Sequence, residues 1–130
     1  MKYLSNYTED ATTELLEENG AFFAFSNSQF DEQKKEGVKY VRFGGAGLIV
    51  PKENAARVHE GLPVIRERGI TLDLAENGKD AIILRELNNH ECFYCGSYDD
   101  PNFEASLNGY GFKDEDIKRV YGANYKYAAL

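Results

Sequence analysis

A glycine-rich turn between two short apolar runs is the feature that most restricts how this chain can fold. Residues 38–43 (VKYVRF) broadly alternate in the β manner, with Lys39 and Arg42 set among apolar and aromatic side chains. Residues 44–47 (GGAG) follow, and residues 48–50 (LIV) resume an apolar run before Pro51. Alternation with a period of two is typical of a β-strand, and a glycine-rich connection between two such runs indicates a hairpin. We therefore expect an antiparallel β-hairpin at about residues 38–50.

A third apolar run precedes the hairpin. Residues 21–26 (AFFAFS) are rich in aromatic side chains and follow the turn signal Asn19-Gly20. Aromatic residues are enriched in strands, and a short apolar run bounded by turn signals is typical of a buried strand. The three runs together predict a small antiparallel sheet.

Apolar positions at helical spacing predict several short helices around this sheet. Cap residues and glycine stops place them at about residues 9–18, 29–36, 52–68, 101–107 and 114–121. Pro63 is expected to kink or divide the third of these helices, and Gly69 to end it. Residues 80–95 fit either a helix or a buried strand, since periodicity alone does not distinguish the two. The predicted fold class is α+β, a small sheet packed by short helices.

Length and composition indicate one folded domain. The chain has 130 residues, of which 42% are hydrophobic and 28% charged, and this is the composition of a packed globule. Neither a linker nor an internal repeat divides the sequence. We expect a single compact domain over residues 1–130.

The chain is acidic, with 22 acidic against 15 basic side chains and a formal net charge of −7. Direct binding to DNA or RNA is disfavoured, because that affinity comes from cationic side chains that displace counterions. The sequence shows no apolar run of the length that a signal peptide or a membrane span needs. Two cysteines are too few for the disulfide framework of a small secreted domain. We expect a protein of a reducing cytoplasm.

The most chemically suggestive segment is residues 90–96 (HECFYCG), where Cys92 and Cys95 form the Cys-x-x-Cys-Gly turn of half a zinc ribbon. A structural zinc needs four ligands, and His59 and His90 would have to complete the set at spacings that match no standard framework. Ordinary buried or half-buried thiols are the more frequent role of such cysteines. We therefore expect no metal and no other cofactor.

His90 and Glu91 place an imidazole beside a carboxylate, a pair that can perform general acid–base catalysis where a substrate pocket adjoins it. A structural polar cluster at a helix end is the more frequent role. The standard signatures of nucleophilic, nucleotide-binding, zinc-protease and calcium sites are absent from the sequence. The sequence therefore favours a binding protein over an enzyme.

Candidates for contacts to a small ligand lie around the hairpin and near the histidine: Arg42, Gly45, Gly47, Lys52, Arg57, Asn89 and His90. The glycines let a ligand approach the main chain closely, and the three cations would attract an anionic molecule. A flexible hairpin turn and solvated surface charge are the simpler interpretations of the same residues.

Three motifs resemble a family of small, uncharacterised phage and prophage proteins. They are residues 22–30 (FFAFSNSQF), residues 45–47 (GAG) followed by Pro51, and residues 86–91 (ELNNHE). The resemblance extends to Leu107, Tyr110-Gly111 and Tyr121, and it carries over no catalytic residues. It implies a phage-encoded protein of the bacterial cytoplasm, where acidic accessory proteins often antagonise host defence.

Such an antagonist would block a host protein or sequester a small signalling molecule, and the sequence does not select one of these partners. It also leaves the oligomeric state open, and a homo-oligomer is compatible with it. The expected function is that of a small, acidic, non-enzymatic binding protein. The alternative is a small enzyme or metal-binding protein centred on Asn89-His90-Glu91 and on Cys92 and Cys95.

Overall fold

The computed structural model describes residues 2–128, with side chains through Tyr125. The described elements are α1 (Leu4–Glu18), β1 (Phe22–Phe23), α2 (Asn27–Gln33), β2 (Tyr40–Phe43), β3 (Leu48–Pro51), a 3-10 turn (Lys52–Asn54), α3 (Ala55–Asn77), α4 (Lys79–Asn89), α5 (Cys92–Cys95), α6 (Pro101–Ser106) and α7 (Asp114–Ala128). The α+β fold class predicted from the sequence is confirmed.

The chain forms two compact units. The sheet unit comprises residues 8–68, and the helical unit comprises the described residues 2–7 and 69–128. Helices α1 and α3 each contribute residues to both units. Among the described helices, none combines the length and the apolar character that crossing a membrane requires. The single domain over residues 1–130 stays a prediction.

The sheet has three antiparallel strands in the order β1-β3-β2. Strand β2 pairs with β3 in the register Val41 to Val50, which confirms the predicted hairpin. The first strand is shorter than the expected run of residues 21–26 and includes only Phe22 and Phe23. It ends early because Ser26 adopts the N-cap position of α2, where its hydroxyl accepts a hydrogen bond from the main-chain N–H of Gln29.

The core of the sheet unit lies on one face of the sheet. Leu48, Val50 and Val58 are buried there, and half-buried apolar side chains of α1, α3 and the strands pack against them: Leu16, Ala21, Val41, Phe43, Ala55 and Leu62. Because side chains alternate across a strand, this face takes every second residue of the hairpin. The side chains of Tyr40, Arg42 and Ile49 lie on the opposite face of the sheet.

Helix α3 is longer than the sequence predicts. It runs through Pro63 without division and passes Gly69, the expected end, to stop at Asn77 before Gly78 at φ 79°. Glycine in a helix interior costs about 1 kcal/mol relative to alanine. The continuation buries Ile70 and Asp73 in the helical unit, and this tertiary burial outweighs the local preference of Gly69 to terminate.

The segment that fitted either a helix or a strand is helical. Helix α4 ends at Asn89, and after a turn the short α5 follows, so residues 80–95 form two helices rather than one. Ile82, Ile83 and Leu87 of α4 are buried in the core of the helical unit with Phe103 of α6 and Val120 of α7.

A buried ion pair lies inside the helical unit. The guanidinium of Arg85 donates to both carboxylate oxygens of Asp73, from Nη1 to Oδ1 at 2.9 Å and from Nη2 to Oδ2 at 3.0 Å. Its Nε donates to Glu86 Oε2 at 2.5 Å. The Asp73 carboxylate also accepts hydrogen bonds from the Tyr110 hydroxyl at 2.6 Å and from Asn77 Nδ2 at 2.8 Å. These bonds satisfy charges that would otherwise be buried at a large free-energy cost.

The network decides the pKa of its carboxylate. Burial alone would raise the pKa of Asp73, but the hydrogen bonds from Arg85, Tyr110 and Asn77 outweigh it and hold the pKa below its ordinary value. Burial, followed by the hydrogen bond to Asp73, raises the pKa of Tyr110. The folded state therefore favours an ionised Asp73 and a protonated Tyr110.

Replacing Tyr110 by Phe leaves an oxygen of the buried Asp73 carboxylate without one of its donors. We expect the free energy of unfolding to fall by about 1–3 kcal/mol, measured by urea denaturation. Tyr94→Phe is the matched control, because Tyr94 is 91% exposed, and it should change stability by less than about 0.5 kcal/mol. Equal effects of the two substitutions would contradict the network's role.

Asp73 also predicts a pH dependence. Because its folded pKa lies below the ordinary value of 3.8, its contribution to stability is complete above about pH 5 and is lost as the pH falls through the folded pKa. The stability difference between the wild type and Asp73→Asn should thus shrink between about pH 5 and pH 2. Asp99→Asn controls for removal of one exposed carboxylate. A wild-type to Asp73→Asn difference that stays constant over this range would refute the assignment.

Candidate ligand-binding site

Helix α2 covers part of the sheet face that lies opposite the core. Phe30 of this helix packs on Phe22 of β1 and Tyr40 of β2, with ring centroids 6.2 Å and 5.6 Å apart. The rings of Phe22 and Tyr40 are themselves 5.4 Å apart and nearly perpendicular. Edge-to-face pairs of this kind are favourable beyond the area that they bury. The three rings fix α2 over the sheet.

Two glutamines of α2 hold it to the edge of β1. Gln29 Oε1 accepts a hydrogen bond from the main-chain N–H of Phe25 at 2.7 Å, and Gln33 Nε2 donates to the carbonyl oxygen of Phe23 at 3.0 Å. Unpaired main-chain groups on an edge strand are normally left to water or covered. Here the glutamine amides take the place of a neighbouring strand.

A cleft of about 540 Å³ opens beside α2 on this face. This volume lies within the range of small-molecule sites, roughly 300–1,000 Å³. The residues that line the cleft come from the β1–α2 connection, α2 and the hairpin: Ala24, Phe25, Ser26, Asn27, Phe30, Tyr40, Val41, Arg42, Gly47 and Ile49. Six of these ten residues carry aromatic or aliphatic side chains, and Ser26, Asn27 and Arg42 add polar side chains.

Arg42 is the one lining residue of the cleft that carries a full charge at neutral pH. It projects from the same face as Tyr40 and Ile49 and is exposed. Within the described part of the chain, its guanidinium forms no ion pair and no side-chain hydrogen bond. A guanidinium can donate two parallel hydrogen bonds to a carboxylate or a phosphate. The cleft therefore offers an apolar wall and a free cationic donor to one ligand.

Gly47 shapes the wall of the cleft beside Phe25. Its φ is +78°, and a Cβ at this position would lie 2.6 Å from Cε1 of Phe25. The carbonyl oxygen of Gly47 accepts a hydrogen bond from the N–H of Ala24 at 2.9 Å. Gly45, in contrast, has open space around it. Of the two glycines singled out in the sequence, Gly47 lines the cleft and Gly45 does not.

The other predicted cations of the hairpin region lie elsewhere in the sheet unit. Lys52 lines a separate hollow of about 370 Å³ with Lys39 and Glu53, and Arg57 is exposed on α3. A wider hollow of about 630 Å³ is lined by three carboxylates, those of Glu17, Glu18 and Glu53, against the single cation of Lys35, and this excess of negative charge disfavours an anion. Among the candidates from the hairpin region, the structure thus places only Arg42 and Gly47 in the cleft of about 540 Å³. We call this cleft, which is lined by Phe25, Phe30 and Tyr40, the aromatic cleft.

Asn89 and His90 belong to the helical unit, at the end of α4. The imidazole of His90 lies against Phe103, and its Nε2 is buried at 3.8 Å from Oε1 of Glu86. The carboxylate nearest to His90 is thus Glu86, one helical turn earlier, rather than the adjacent Glu91. Glu91 is exposed and occupies the left-handed region at φ 56°. The predicted pair of His90 and Glu91 is not assembled.

The two cysteines differ in their environments. Cys92 is buried, and Cys95 is exposed. Burial, and then the charges of Asp100 and Cys95, raise the pKa of the Cys92 thiol. In the part of the chain that the structure describes, no three His, Cys, Asp or Glu side chains come together in a way that could hold a metal ion. His59 lies in the sheet unit, where its ring packs near Phe43.

Sequence reasoning missed most of the apolar wall of the cleft. The sequence places Phe25 in the predicted strand at residues 21–26, Phe30 in the predicted helix at residues 29–36, and Tyr40 in the predicted hairpin. The signal that could have identified Phe25 is its place just before the cap residue Ser26, since an apolar residue there cannot continue a buried strand. Phe25 is in fact 73% exposed.

Gly47→Ala tests the shape of this wall. The new Cβ would meet the ring of Phe25 and would hold an alanine at positive φ, so we expect a loss of about 1–3 kcal/mol in the free energy of unfolding. Gly45→Ala is the control, since its Cβ would enter open space. Urea denaturation of both variants measures the difference. If Gly47→Ala were as stable as Gly45→Ala, the close approach of Phe25 would be wrong.

Comparison with known proteins adds a family but no activity. No curated protein and no solved structure matches the chain. A family model described as Family of unknown function (DUF7659) matches residues 4–126. The match contains the aromatic cleft and residues 86–96, so both candidate regions lie inside it. The chain therefore belongs to this family of unknown function.

Proposed function

We propose that this chain is a non-enzymatic binding protein that holds its ligand in the aromatic cleft of the sheet unit. The ligand joins a flat apolar group to an anionic group. The observation that carries the proposal is the free guanidinium of Arg42 beside Phe25, Phe30 and Tyr40 in a chain of net charge −7. An acidic chain repels anions in general, so a specific anion site needs such a local cation.

The two parts of the cleft suit the two parts of such a ligand. Phe25 and Tyr40 offer aromatic surface on which a planar group can stack or pack edge to face. Arg42 can donate a bidentate pair of hydrogen bonds to a phosphate, sulfonate or carboxylate. The polar side chains of Ser26 and Asn27 line the same cleft and fix orientation rather than supply most of the affinity.

Binding is favoured over catalysis by the residues that line the cleft. The described lining residues include no histidine, cysteine or carboxylate that could act as a general base or a nucleophile. The Ser26 hydroxyl already accepts the N-cap hydrogen bond from Gln29. The alternative centre at Asn89, His90 and the two cysteines has less support, because the Nε2 of His90 is buried and the described residues bring no set of three possible metal ligands together.

The biological context is a further part of the proposal. The resemblance of residues 22–30, 45–51 and 86–91 to phage and prophage proteins supports a phage-encoded accessory protein that acts in the bacterial cytoplasm. Sequestering a small signalling molecule and blocking a host protein both fit such a role. A nucleotide has both a flat base and an anionic phosphate. The cleft therefore favours a small signalling molecule over a host protein as its ligand.

The probe 8-anilinonaphthalene-1-sulfonate tests the proposal, because it joins a flat apolar group to a sulfonate and reports binding by its fluorescence. We expect saturable binding to the folded wild type and a loss of at least about tenfold in affinity for Arg42→Gln, as removal of a charged hydrogen-bond donor costs about 1.5–3 kcal/mol. Arg57→Gln removes an exposed cation outside the cleft and should bind like the wild type.

Competition with unlabelled compounds then shows which class of natural ligand the cleft prefers. Adenosine 5′-monophosphate should displace the probe more strongly than adenosine or inorganic phosphate, because each of these offers only one of the two groups. Circular dichroism confirms that the variants remain folded, since partly unfolded chains also bind this probe. Equal affinities of Arg42→Gln and Arg57→Gln for the probe would sink the proposed site.

A further inference from the structure

The outer edge of β2 carries main-chain N–H and C=O groups that form no hydrogen bond with any other part of the described chain. The N–H of Lys52 donates to the carbonyl of Lys39 at 2.8 Å, so the hydrogen-bonded positions of β2 continue at Val41 and Phe43. Tyr40 lies opposite Pro51, which has no N–H. The N–H and C=O groups of Tyr40 and Arg42 therefore point away from β3.

The two edges of the sheet differ in the hydrogen bonding of their outward main-chain groups. At the edge of β1, the carbonyl of Phe23 accepts a hydrogen bond from Gln33, and the N–H of Phe25, just beyond the strand, donates one to Gln29. On β2, the outward groups of Tyr40 and Arg42 have no such partner among the described residues. An edge strand with free main-chain groups is a template for another strand.

The cations beside this edge of β2 favour an acidic binding partner. Lys39 and Arg42 flank its outward groups, and Lys52 lies directly across from Lys39. None of these three cations forms an ion pair within the described chain. Pairing with the same edge of a second copy would bring like charges together, which is unfavourable between adjacent strands. An extended segment with acidic side chains would instead neutralise them.

We propose that the edge of β2 pairs with an extended acidic segment of a partner protein, which adds as a fourth strand. Main-chain hydrogen bonds to Tyr40 and Arg42 supply the pairing, and Lys39 and Arg42 attract the acidic side chains. The pairing itself uses the main chain of β2, whereas the proposed function uses the cleft, and the Arg42 side chain belongs to both. It adds a protein partner to the small ligand.

A blocked hexapeptide of alternating glutamate and threonine is the probe, because threonine favours strands and glutamate supplies the charge. Amide hydrogen exchange measured by NMR gives the residue-level readout. At saturating peptide, exchange at the amides of Tyr40 and Arg42 should slow by about tenfold or more. Val41 and Phe43, already bonded to β3, should change little. Protection that lacks this alternation contradicts strand addition.

Two ester peptides separate main-chain pairing from simple charge attraction. Each replaces every second amide by an ester, one at the glutamates and the other at the threonines. The proposal expects one of the two to bind at least about tenfold more weakly than the other, since only alternate amides face β2. A peptide with lysine in place of glutamate should bind at least about tenfold more weakly than the parent.

The remaining outcomes each overturn the proposal. They are the absence of peptide binding at millimolar concentration, equal affinity of the two ester peptides, and equal affinity of the lysine peptide. A dimer that protects Tyr40 and Arg42 without peptide would make a second copy the occupant. Binding of the naphthalene sulfonate to the wild type, measured without peptide, keeps the two proposals separable, because Arg42 then meets only the probe.

Discussion

The central strand of the sheet imposes the constraint on which the sheet unit depends. All four residues of β3, Leu48–Pro51, are buried, so β3 needs a strand on each side and a covered face above and below. The core of α1 and α3 covers one face, and α2 covers part of the other. The aromatic cleft lies where α2 leaves that second face open.

Two arginines show how differently the chain uses the same side chain. Arg85 is almost fully buried, and two carboxylates, Asp73 and Glu86, receive its hydrogen bonds. Arg42 is exposed and has no carboxylate partner in the described chain, although the chain has 22 acidic residues. A buried guanidinium without partners would be strongly destabilising, so the first arrangement is structural. The second leaves a charge free to meet a ligand.

Local signals predicted the elements that depend on local chemistry. The alternation around Gly44–Gly47 predicted the hairpin, and cap residues predicted a helix at about residues 101–107. The structure shows this helix as α6, where the Asp100 carboxylate accepts the capping hydrogen bond. The length of α3 could not be predicted, because Gly69 is a local stop signal that the burial of Ile70 and Asp73 overrides. That burial depends on residues distant in sequence.

The candidate site was predicted only in part, because it too depends on contacts between residues that are distant in sequence. Arg42 and Gly47 belong to the hairpin, so the sequence identified them. Grouping Arg42 with Lys52 and Arg57 failed, since closeness in sequence did not bring those cations into one cleft. Phe25, Phe30 and Tyr40 meet through the docking of α2 on the sheet, and that contact leaves no periodic signal in the sequence.

The most direct test of the central claim is to map the bound naphthalene sulfonate on the isotopically labelled protein by NMR. If the aromatic cleft is the site, the amide signals that shift on titration belong to residues 24–30, 40–42 and 47, and those of residues 89–96 stay in place. Shifts centred on residues 89–96 would contradict the account and would move the binding site to the histidine and the cysteines.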